Sequence, residues 1–122
     1  MKRISILLSG AVCALAGVAS AQAADLAAGK AAFEKNGCVA CHGAAGDKTI
    51  APMYPVLAGQ HDDYLVHALT GYQRGVNNAP NSANVRKNPI MANEVKKLGA
   101  ADIVNIAAWL SEQKGPLSHK RK

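Results

Sequence analysis

Cys38-Val39-Ala40-Cys41-His42 is the stretch on which the reading of the whole chain turns. A C-x-x-C-H run is the signature of covalent haem attachment. The spacing has a physical reason. Thiols three positions apart share one face of a helical turn, so both can add to the two vinyl groups of a haem, and the adjacent imidazole then points at the iron. Cys38 and Cys41 are therefore the expected attachment points and His42 the expected first iron ligand.

Two other chemistries use similar residues. Cys38, Cys41, His61 and His67 approach a zinc-ligand pattern, but the gap between the cysteines and the histidines is longer than in zinc fingers. Six helical positions also turn the chain so that His61 and His67 face about 120° apart, which suits exposed polar flanks better than a shared metal. A thiol oxidoreductase would need its C-x-x-C in a βαβ setting with a lowered thiol pKa. Here an Ala-rich helical segment precedes the motif, and no Val/Ile-rich strand comes after it.

The 122 residues have room for one domain preceded by a leader. Met1-Lys2-Arg3 is basic, Ile4 to Val18 is almost entirely apolar or small, and Ala21-Gln22-Ala23 fits an A-x-A cleavage site. Residues 1–23 are thus expected to be a secretory signal peptide that is removed, placing the protein in the periplasm. Cys13 would leave with the leader, and the two remaining cysteines both belong to the motif. The apolar run is short and interrupted, and no second one is found downstream, so stable membrane insertion is not expected. With 14 Lys+Arg against 8 Asp+Glu, two of the bases in the leader, the mature surface is mildly basic. Aromatic residues make up only 4% of the chain and do not alternate with basic ones, which argues against nucleic acid.

The spacing and punctuation predict an all-α domain over residues 24–115, followed by a basic tail over 116–122. Asp25 is an expected N-cap for a helix from Leu26 to about Asn36, with Gly37 at its end. Gly43 to Gln60 carries Gly43, Gly46, Pro52, Pro55 and Gly59, so irregular chain is expected there. Leu65, Ala68, Leu69 and Tyr72 recur at i, i+3, i+4, i+7, which predicts a helix from Asp62 to Arg74. Gly75 to Pro89 reads as a mobile spacer loop, then a short helix is expected from Asn93 to Leu98 and a final one from Asp102 to Gln113. Ser118 to Lys122 reads as disordered. Many apolar positions are Ala, and a haem would supply the apolar volume that so small a core lacks.

Four side chains could occupy the iron's second axial position: Met53, Met91, His61 and His67. Chain length excludes none of them.

Beyond the motif, the chain resembles the class I c-type cytochromes, and within them the bacterial c-four and c-five types with their single-haem relatives. The resemblance rests on Cys38-Val39-Ala40-Cys41-His42-Gly43, Met53-Tyr54-Pro55-Val56-Leu57-Ala58-Gly59-Gln60-His61, Tyr64-Leu65-Val66, Asn88-Pro89-Ile90-Met91, and Ile103 to Gln113, in that order. It implies a class I cytochrome c fold of four to five short helices wrapped around one covalently attached haem c. It further implies that Met91 is the distal thioether ligand, delivered from the loop before the last helices. Pro55 would offer its carbonyl to the Nδ1–H of His42. Gly29 and Phe33 would cross the last helix near Ile106 and Trp109.

Histidine and methionine on one iron leave no open position, so the expected function is an electron carrier and not an enzyme. It would shuttle single electrons between respiratory proteins, from a quinol-oxidising complex or dehydrogenase to a terminal oxidase or reductase. The competing readings are a haem subunit of a dehydrogenase complex, a ligand-binding or peroxidase-like cytochrome whose Met91 dissociates, and a periplasmic thiol oxidoreductase. Arg86, Lys87, Lys96 and Lys97 are either a docking face or merely solvated.

Overall fold

The computed structural model describes residues 23–77, 79–80 and 84–118. The expected signal peptide lies outside them except for Ala23, as do the tip of the Asn-rich loop and the basic tail beyond Ser118. Five helices form, α1 (Leu26–Lys35), α2 (Val39–His42), α3 (Asp62–Val76), α4 (Pro89–Val95) and α5 (Ala100–Ser111), with no strand among the described residues.

Alanine dominates α1, and the Asp25 carboxylate accepts the Ala28 N–H at 3.0 Å, satisfying one of the unpaired donors of the first turn. Gly37, in the left-handed region at φ 78°, then turns the chain into the motif. α1 lies across α5 with Gly29 at the crossing, where an added Cβ would stand 2.6 Å from the Asn105 carbonyl carbon and 2.9 Å from Trp109 Cβ. Only glycine permits so close an approach. One turn on, the Phe33 and Trp109 rings pack with centroids 5.1 Å apart. They are joined in one core by Ala32, Leu65, Val95, Leu98, Ile103, Ile106, Ala107 and Leu110. Full burial of a side chain such as Phe33 contributes about 2–3 kcal/mol.

α3 turns its Leu65 and Ala68 face inward as the periodicity predicts, and runs on through Gly75 and Val76. The short helix before α5 forms seven residues long but begins earlier than expected, at Pro89 instead of Asn93. Asn88 is its N-cap, accepting the N–H groups of Ile90 at 3.0 Å and Met91 at 3.1 Å. Proline at the first helical position loses no hydrogen bond and has its φ preset. Asn88-Pro89 therefore starts a helix instead of ending a loop, and Met91 sits in the first turn of α4.

The irregular stretch after α2 is tied down near its middle and near its end. Ile50 N–H donates to the Cys41 carbonyl at 3.3 Å, and Gly59 N–H to the Leu110 carbonyl at 2.9 Å. Ser118, expected to open a disordered tail, instead closes a turn, its hydroxyl donating to the Gln113 carbonyl at 3.1 Å and accepting Gly115 N–H at 3.0 Å. No described helix is long and apolar enough to cross a membrane.

Candidate functional site

Local chain geometry presents the motif as a single turn. Cys38 caps α2, its carbonyl accepting His42 N–H at 3.1 Å, and Gly43 with φ 82° ends the turn. Both thiols are free and half-buried. Cys38 packs against the core together with Val39, Leu57 and Met91. Burial pushes the Cys38 thiol above its ordinary value, with nearby Glu94 and Cys41 pushing the same way against the opposing pull of a backbone hydrogen bond and Lys97. A redox-active C-x-x-C works through the opposite shift.

His42 is buried, at 5% exposure. Its Nδ1 lies 2.9 Å from the Pro55 carbonyl oxygen. A carbonyl oxygen can only accept, so Nδ1 carries a proton, which in the neutral tautomer leaves Nε2 its lone pair. The Tyr54 ring stands edge-on to the imidazole with centroids 6.3 Å apart. The ring is thus oriented from one side, with the other nitrogen in the tautomer that a metal requires.

The four candidates for the second axial position differ in surroundings. Met53 is 75% exposed, and His61 and His67 are also exposed. Met91 is half-buried and packs on the same core as Cys38. Large apolar side chains stand exposed beside these groups: Ile50, whose N–H bonds to Cys41, Met53 in the turn before Pro55, and Ile90 next to Met91. Apolar side chains that neighbour two thiols, a pre-oriented imidazole and a thioether along the chain suit a haem, whose apolar surface they could cover.

A family model described as "Cytochrome c" matches residues 26–114. The chain belongs to the cytochrome c family. The cytochrome accordingly binds covalent haem c with its iron. It is 39% identical over 92 residues to cytochrome c-554(548) of Halomonas halodenitrificans, covering 75% of this chain and 99% of that protein. Cytochrome c-553 of Nitratidesulfovibrio vulgaris is 33% identical over 112 residues, covering 92% and 99% respectively. Among solved structures, reduced recombinant cytochrome c4 from Pseudomonas stutzeri superposes with a TM-score of 0.65 at 37% identity. That match covers 76% of this chain and 47% of the other, so the cytochrome corresponds to about half of that longer protein.

The charged residues around the site divide into two kinds. Lys97 Nζ pairs with Glu94 at 2.6 Å and reaches the Asn36 carbonyl at 3.4 Å, while Lys87 and Lys96 are exposed. Arg86, by contrast, is engaged within the fold. Its guanidinium lies 5.2 Å from the Tyr64 ring centroid and 5.8 Å from that of Tyr72, and it donates to the Tyr64 hydroxyl at 3.3 Å. That hydrogen bond raises its pKa above the ordinary arginine value. Composition alone hides three contributors: Asn88, Arg86 and Gln73, whose side-chain amide donates to the carbonyls of Val95 at 2.9 Å and Leu98 at 2.8 Å. Only the Asn-Pro pair signals its own role locally.

Proposed function

We propose that this chain is a periplasmic electron carrier, exported by the leader at residues 1–23, with its haem domain over 24–115 and a basic tail over 116–122. It passes single electrons between respiratory proteins, accepting them from a quinol-oxidising complex or dehydrogenase and delivering them to a terminal oxidase or reductase. Haem c, when bound, supplies a one-electron ferric/ferrous couple.

The residues divide the work of holding and tuning that couple. Cys38 and Cys41 hold the group covalently through their thiols. His42 offers Nε2 to the iron while Pro55 keeps its Nδ1 proton in place. Met91 would supply the iron with a soft thioether, which would favour the reduced state relative to a second imidazole. Leu57, Val66 and Leu69 pack on the same core as Cys38 and Met91 and extend its apolar surface.

The observation that carries this reading is the contrast among the candidate ligands. His42 is buried with one nitrogen committed to Pro55, and Met91 is half-buried against the core whereas Met53, His61 and His67 are exposed. Two protein ligands saturate the iron and leave no position for a substrate, which is the requirement for a carrier and not for an enzyme.

A visible spectrum of the native protein followed through a redox titration tests it. The expected result is a single one-electron wave, with a weak far-red iron-sulfur band in the oxidised form and no fast carbon monoxide binding in the reduced form. Fast carbon monoxide binding would move the reading to a ligand-binding or peroxidase-like cytochrome. A catalytic subunit that stays bound through purification would make the chain part of a dehydrogenase complex. A colourless protein with a titratable disulfide would return it to the thiol oxidoreductases.

A further inference from the structure

We propose that Arg86 is a positioning residue for Met91, latching the segment that enters α4 onto α3 and so holding the thioether on the iron. The inference rests on the assignment of Met91 as axial ligand and adds the device that keeps it bound.

Residues 84–86 are bound to α3 through both side chains and backbone. Asn84 Nδ2 donates to the His67 carbonyl at 3.1 Å, and Arg86 N–H donates to the Gly71 carbonyl at 2.9 Å. The Arg86 guanidinium then lies against Tyr64 and Tyr72, two turns apart on α3, and bonds to the Tyr64 hydroxyl. Two glycines of α3 make the approach possible. A Cβ on Gly71 would come within 3.2 Å of Arg86 Cγ, and one on Gly75 would collide with the Arg86 carbonyl oxygen. Aromatic faces attract a guanidinium, and its planar fork is pre-organised for such a site.

Two residues beyond the latch, Asn88 caps the turn that contains Met91. The far end of the same helix is held by Gln73, again from α3. α3 therefore grips α4 at both ends. The two grips differ in kind. Gln73 satisfies carbonyls at the core side, where its loss would loosen the whole domain. The Arg86 latch is at the surface, with Tyr64 46% exposed, so its loss bears on the local release of the Met91 turn.

Release of Met91 can be measured through exogenous ligand binding. An added imidazole binds the ferric iron only in molecules whose Met91 has let go, so its apparent affinity scales with that fraction. A surface cation–π contact and one hydrogen bond together are worth about tenfold in such an equilibrium.

The test uses the purified holoprotein. Arg86→Gln is expected to raise imidazole affinity about tenfold and to lower the temperature at which the far-red band disappears by more than it lowers the far-UV unfolding midpoint. Arg86→Lys, which keeps the cation but not the fork, should fall between this variant and wild type. Tyr64→Phe, a change at an exposed hydroxyl that leaves the ring in place, should give a smaller increase of the same sign. Unchanged imidazole affinity in Arg86→Gln overturns the proposal, as does a band and an unfolding midpoint that fall by the same amount. Met91→Ala separates the two levels of argument. If it loses the band and Arg86→Gln behaves as wild type, the latch alone is wrong. If it keeps the band, the ligand assignment falls and the latch falls with it.

Discussion

His42 Nδ1 and the Pro55 carbonyl oxygen, 2.9 Å apart, join the motif turn to the irregular segment after it. The bond sets three things together: the imidazole's tautomer, its rotation about the side chain, and the electron density it can give a metal. Pro55→Gly frees the backbone that presents this carbonyl. We expect covalent haem to be retained and the reduction potential to rise by on the order of 20–40 mV, because a less basic imidazole stabilises the oxidised iron less. Protein-film voltammetry reads the shift, and an unchanged or lower potential would count against a tuning role for Pro55.

Replacing both thiols, Cys38→Ser with Cys41→Ser, should abolish haem that survives denaturing electrophoresis. Staining the gel for haem peroxidase activity gives the answer. Persistent staining would mean that the attachment assignment is mistaken.

Gly29→Ala puts a methyl group where α1 meets the Asn105 carbonyl of α5. Separating two packed helices to admit it should cost about 3 kcal/mol, seen as a lower urea midpoint. The visible spectrum of the folded fraction should be unchanged, since Gly29 and its neighbours Asn105 and Trp109 are not among the residues that would hold the haem. An equally stable variant would show that the crossing relaxes freely.

Gln73→Leu removes the donor shared by the Val95 and Leu98 carbonyls. Leaving these without a partner should cost about 1–3 kcal/mol, with the far-UV and visible thermal transitions falling together. A neutral substitution would indicate that water replaces the amide.

Glu94 is held below the usual carboxylate value, chiefly by its hydrogen bond to Lys97. A depressed carboxyl stabilises the fold above its unfolded pKa, and that contribution is lost as pH falls through the folded value. Because the pair is solvent-exposed, the contribution should stay below about 0.5 kcal/mol. Glu94→Gln should therefore flatten the acid limb of the stability-against-pH curve by no more than this, measured by urea titration from neutral to acidic pH.

Local signals make most of the fold legible. Asp25, the Leu65-to-Tyr72 periodicity and the apolar stripe from Ile103 to Leu110 each mark a helix within a few residues of where it forms. The start of α4 is harder to read because Asn88 and Pro89 are turn formers by composition, and they act as cap and first helical residue only when the next residues go on to form a helix. Arg86 resembles any solvated base in the sequence, since its partners Tyr64 and Tyr72 lie far back in α3 and no local pattern connects them. The Pro55 contact is made by a main-chain carbonyl, which composition cannot mark at all; family resemblance points to it. Among Met53, His61, His67 and Met91 the chain alone offers no choice, because packing against a shared core is a property of three dimensions.

The clasp between α1 and α5 also bears on assembly order. Phe33 and Trp109 come from the first and last helices, so the core cannot close until the two ends of the domain meet, a contact of long sequence separation and correspondingly slow closure. Until that contact forms, Cys38 and Cys41 stand on an open chain that a haem could approach from either side, and the meeting of the terminal helices would then enclose a group already bonded in place.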